Sequence, residues 1–85
     1  MIFETERYLA FLRSLTDDEV LRVLVFVYSV YLNPAPDGDH IFGYGALGTP
    51  EFRFAFDGEF RLDFFVVSGD TLILLDAARA ERLRT

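Results

Sequence analysis

The sequence has no cysteine, no tryptophan and no lysine. Without cysteine there is no disulfide framework and no thiolate metal site. Without lysine, all eight basic residues are arginine, the side chain suited to bidentate contact with phosphate or carboxylate. The one histidine, His40, sits in Asp37-Gly38-Asp39-His40, whose spacing fits no EF-hand or zinc pattern. No metal and no cofactor are expected. Paired carboxylates and a Ser/His/Asp set are missing too. Gly43-Tyr44-Gly45 is not followed by a capped helix, so it is no phosphate loop. The N-terminus is acidic where a signal peptide needs a basic patch. The longest apolar run, Val23 to Val30, is far shorter than the ~20 residues that span a bilayer. A cytoplasmic protein is expected.

What is present is apolar and aromatic. Hydrophobic residues make up 52% of 85 residues, and ten are Phe. That size is one domain, 1–85, burying about 60–65% of its unfolded surface. So apolar a composition leaves more surface than a small body can hide, which points to a second copy or a partner chain. The net charge of −6 counts against free-standing nucleic-acid binding, which phosphate contacts dominate.

Met1 to Glu4 reads as a short strand. Tyr8, Leu9, Phe11, Leu12 and Leu15 then recur at helical spacing after Thr5, an N-cap residue. Thr16-Asp17-Asp18-Glu19 is a capping box that opens a second helix over 17–32. Its many valines favour strand. Its length and the single polar stripe of Glu19, Arg22 and Ser29 decide for helix, and Asn33-Pro34 ends it. Residues 33–50 form a Pro/Gly-rich connection with three prolines and four of the six glycines, with apolar members Ile41, Phe42, Tyr44 and Leu47 that suggest packing. A three-stranded antiparallel sheet follows over 51–76, with Thr71 to Leu75 as a central strand, and 77–85 reads as a tail. The fold class is α+β: a short N-terminal strand and a two-helix hairpin packed on one face of an antiparallel sheet, in the order β-α-α-β-β-β.

The hairpin Glu51 to Val67 poses a register question. A two-residue turn at Asp57-Gly58 leaves neither face apolar, with Phe52, Phe54 and Phe56 on one and Phe60, Leu62 and Phe64 on the other. A three-residue loop with left-handed Gly58 gathers Phe52, Phe54, Phe60, Leu62, Phe64 and Val66 on one face, and the hydrophobic pattern selects it. That register sets Arg53 directly across from Arg61 on a wet face. The plain role for both is cross-strand pairing with Glu51, Glu59 or Asp63.

The element order, the Thr5-Glu6-Arg7-Tyr8-Leu9-Ala10-Phe11-Leu12 start, the Asp57-Gly58-Glu59-Phe60-Arg61-Leu62 hairpin and Leu72 to Leu75 followed by Arg79 together resemble the RelE/ParE superfamily of toxin–antitoxin toxins. The resemblance covers nearly the whole chain as a pattern. It implies a toxin that acts as an endoribonuclease on ribosome-bound mRNA, with Arg61 holding the scissile phosphate and Arg79 stabilising charge by preorganised electrostatics. Arg53 and Tyr44 would then bind substrate. It also implies an antitoxin partner, with ribosome and mRNA as targets. The chain departs from the ribonuclease pattern in being acidic, in carrying Phe52 and Phe54 beside Arg53 where lysines are common, and in having no Tyr or His after Arg79. A degenerate relative therefore stands beside the ribonuclease. The alternative is a non-enzymatic homodimeric or partner-binding module, including a ParE-like gyrase inhibitor.

Overall fold

The computed structural model describes residues 1–34, 41–44, 52–67 and 70–80, with the backbone alone for 41–44. The Asp37-to-His40 segment, Gly45, Leu47, Glu51, Arg82 and Arg84 lie outside the described residues. The elements are β1 (Ile2–Glu4), α1 (Glu6–Arg13), α2 (Asp17–Leu32), β2 (Ile41–Tyr44), β3 (Phe52–Phe56), β4 (Phe60–Val67) and β5 (Thr71–Arg79). The sheet order is β1-β5-β4-β3-β2. β1 pairs with β5 in parallel, and the other neighbours are antiparallel. The expected α+β arrangement holds with two additions. The short strand or turn that the apolar residues from Ile41 to Leu47 suggest is the strand β2, which adds to the sheet, and β5 runs on through Ala77, Ala78 and Arg79, past the expected strand end at residue 76.

The helix boundaries follow local chemistry. At α2 the Thr16 hydroxyl accepts from the Glu19 amide at 3.3 Å, and the Thr16 amide donates to Glu19 Oε1 at 3.0 Å. Both halves of the capping box are therefore made. Thr16→Ala is expected to lower stability by about 1 kcal/mol, read as a shift of the urea midpoint. Thr5 caps α1 with its backbone only. Its hydroxyl instead donates to the Leu74 carbonyl at 2.6 Å, tying the start of α1 to β5.

Tyr8, Val23, Phe26, Val27 and Val30 from the helices meet Ala55, Phe60, Leu62, Phe64, Leu72, Leu74 and Ala77 from the sheet. These residues form the core, and β5 is a central strand with partners on both sides.

The hairpin register differs from the expected one. Phe56 pairs with Arg61, Phe54 with Asp63, Ala55 with Leu62 and Arg53 with Phe64. The loop is the two residues Gly58-Glu59, closed by a bond from the Asp57 amide to the Phe60 carbonyl at 3.2 Å. Gly58 has φ +94, the positive φ that two-residue hairpin turns need at their first position. The Asp57 side chain fixes the turn by accepting from the Glu59 and Phe60 amides at 2.9 and 2.7 Å. Side chains alternate along a strand. Ala55, Phe60, Leu62 and Phe64 therefore point into the core, while Phe52, Phe54, Phe56 and Phe65 lie on the far face. The single-sided phenylalanine stripe is corrected to two sides. The expectation failed because it required one wet face, and this sheet is apolar on both.

The far face is ordered across strands. Register places Phe3, Ile73, Phe65 and Phe52 in one row over β1, β5, β4 and β3. Phe52 and Phe65 meet edge to face at 5.3 Å between ring centroids, and Phe54 and Phe56 at 5.8 Å.

Candidate functional site: three arginines on two faces

The three arginines that the resemblance marks are not brought together. Arg61 lies on the far face of the sheet. Its guanidinium stands 4.7 Å from the Phe54 ring centroid and 5.8 Å from that of Phe56. Its Nε donates to Asp63 Oδ1 at 2.9 Å. The rings hold the cation in place and the carboxylate neutralises it. A phosphate arriving here must compete with Asp63 for the Arg61 guanidinium.

Arg53 lies on the helix face, the parity of Ala55. It donates from Nη1 to the carbonyl of Pro34, just past the end of α2. That bond joins β3 to the second helix. The expected side-by-side placement of Arg53 and Arg61 is thus corrected: Arg53 faces Phe64 rather than Arg61, a register displaced by three residues, and an odd displacement puts the two arginines on opposite faces.

Arg79 also lies on the helix face, where β5 ends opposite Phe60. Its Nη2 is 2.6 Å from Glu19 Oε2, and its guanidinium is 5.9 Å from the Phe60 ring centroid. Glu19 thus serves two partners. Its carboxyl pKa is lowered, first by the Thr16 backbone amide and then by Arg79. Beside it, Arg22 holds Glu59 in a two-pronged pair, Nε to Oε1 at 2.9 Å and Nη2 to Oε2 at 3.0 Å. This pair raises the Arg22 pKa. Together the two ion pairs fasten the N-terminus of α2 to the hairpin turn and the end of β5. Sequence reasoning gave Glu19 a capping role only, and nothing local signals its reach to residue 79.

Tyr44 is in β2, in register with Arg53 at the strand's end. Among the described residues no group of His, Cys, Asp and Glu is arranged to hold a metal ion, and no helix is long and apolar enough to cross a membrane.

One buried polar atom carries no signal in the sequence. Tyr8 on α1 is fully buried, and its hydroxyl has no hydrogen-bond partner among the described residues. Burial pushes its pKa up to about 12, with the Glu4 carboxylate adding to the effect. Helical periodicity placed Tyr8 correctly in the core but carries no signal about its hydroxyl.

No protein-family model matches the chain, and no curated protein matches it in sequence. Two solved structures match in shape. The isolated E. coli RelE toxin superposes with a TM-score of 0.70 at 18% identity, over 96% of this chain and 85% of that one. The intact E. coli RelBE toxin–antitoxin complex gives 0.67 at 18% identity, over 96% and 98%. The chain therefore has the fold of the RelE toxin.

Proposed function

We propose that the protein is the toxin of a toxin–antitoxin pair and that it acts by binding its target rather than by cleaving RNA. It would work in the cytoplasm with an antitoxin as its partner. The fold and its likeness to the RelE toxin and the RelBE complex support the first part. One observation carries the second. Arg61 and Arg79 occupy opposite faces of the sheet, each paired with a carboxylate. Cleavage of RNA by charge stabilisation needs fixed donors aimed at one phosphate, and these two aim at none in common. A ribonuclease acting on ribosome-bound mRNA is the competing reading.

Inducible expression in bacteria decides between them. Growth arrest is expected, with no new mRNA ends in primer extension and with the arrest kept in Arg79→Ala. Cleavage of mRNA that disappears in Arg61→Ala and in Arg79→Ala would establish the ribonuclease instead. Normal growth at good soluble expression would remove the toxin reading altogether.

A further inference from the structure

Helix α2 buries one side and leaves an apolar stripe on the other. Val23, Phe26, Val27 and Val30 face the core. On the outer side Leu21, Val25, Tyr28 and Leu32 are 62, 64, 59 and 67% exposed. Their spacing is four, three and four, the alternation that keeps a seam on one side of a helix. The outer side of a surface helix normally carries charge. Here no charged residue occurs from Val23 to Leu32.

The stripe is complementary to itself when reversed. Laid antiparallel about a two-fold axis, Leu21 meets Leu32 of the other copy and Val25 meets Tyr28. All four positions are then matched at once, as a symmetric interface demands. Charge selects the same direction. Asp17, Asp18 and Glu19 all lie in the first turn, and the last turn has no basic residue. A parallel pair would bring six acids together. An antiparallel pair separates the two acidic ends by the length of the helix, about 24 Å for 16 residues at about 1.5 Å each. Arg22, the only cation on α2, is held by Glu59 and lies to one side of the stripe. Grooves of about 590 and 390 Å³ flank the ridge, one by Leu24 and Tyr28 and the other by Leu21 and Ser29. They leave room for the side chains of a second helix.

We infer that α2 is the contact surface of a homodimer, packed antiparallel against α2 of a second copy through Leu21, Val25, Tyr28 and Leu32. This goes beyond the toxin reading and does not depend on it. A stable interface buries about 800 Å² per partner, and one helix of this length supplies less. The dimer is therefore expected at micromolar concentration and not below.

Sedimentation velocity on the full chain tests the inference. The wild type is expected to shift from monomer to dimer across roughly 1–200 µM, the range of a micromolar complex. Val25→Glu places a charge beside the axis, against Tyr28 of the other copy, and should weaken the dimer by about 100-fold. Because Val25 is exposed, its circular dichroism and urea midpoint should stay near wild type. Direction is tested with single cysteines, since the chain has none of its own. Leu21→Cys mixed with Leu32→Cys should form a disulfide-linked dimer under mild oxidation. Leu21→Cys alone should not. A monomer throughout the range overturns the inference, and so does a dimer unaffected by Val25→Glu. Efficient cross-linking of each variant with itself, rather than with the other, overturns the antiparallel arrangement.

Discussion

Phe64→Ala is expected to cost about 3–5 kcal/mol, the range for removing a buried aromatic ring and leaving its cavity. Phe64 is fully buried on β4, with Arg53 of β3 and Leu74 of β5 as its register neighbours. A chain of 85 residues has roughly 4–13 kcal/mol to lose, at about 0.05–0.15 kcal/mol per residue. The variant should therefore unfold at much lower urea and sit near the edge of folding at 37 °C. Phe54→Ala is the control. Phe54 lies on the far face beneath Arg61, so its removal loses ring contacts without opening the core, at about 1–2 kcal/mol. Equal losses for the two variants would restore the register in which both rings share the core.

Tyr8→Phe is expected to stabilise the protein, and most strongly at high pH. Removing a buried hydroxyl without a partner relieves a desolvation penalty, about 1 kcal/mol at neutral pH. The titration adds to this. The folded-state pKa of about 12 lies above the unfolded value near 10. The folded protein keeps this proton where the unfolded chain gives it up. The contribution is fully present below pH 10 and is lost as pH rises from 10 through 12. Over the whole window the loss is on the order of 3 kcal/mol, at about 1.4 kcal/mol per pKa unit. Urea midpoints of both proteins between pH 7 and 11 should diverge only above pH 9–10. Parallel curves would mean that the hydroxyl finds a partner or that water reaches it.

Local elements were legible because local chemistry builds them. Thr16 and Glu19 announce α2, and Asn33-Pro34 closes it. The α+β order followed from the same periodicities. The register of β3 on β4 was not legible, because the Phe residues are divided between two apolar faces. The deciding interaction is the Asp57 side chain reaching the Glu59 and Phe60 amides, which favours a two-residue Gly58-Glu59 loop over the expected three-residue bulged loop. The candidate site failed for that reason. Side-chain parity decides which face an arginine occupies, and Arg53 changed face with the register. Arg79 was placed by a partner sixty residues away, Glu19, whose sequence context shows only its capping role.

The parallel pairing of β1 with β5 also governs when the protein can become native during synthesis. Ile2, Phe3 and Glu4 align with Leu72, Ile73 and Leu74, and the Thr5 hydroxyl binds the Leu74 carbonyl. The Met1 ammonium donates to the Asp70 carbonyl at 2.7 Å. Residues 2–5 thus cannot pair until residues 72–74 have been made. Until residues 71–79 emerge, β1 has no strand beside it and the apolar inner sides of α1 and α2 lack most of their floor. Such long-range closure slows folding and leaves the nascent chain open to other contacts. A partner already present in the cell can therefore meet α1 and α2 while they are still uncovered.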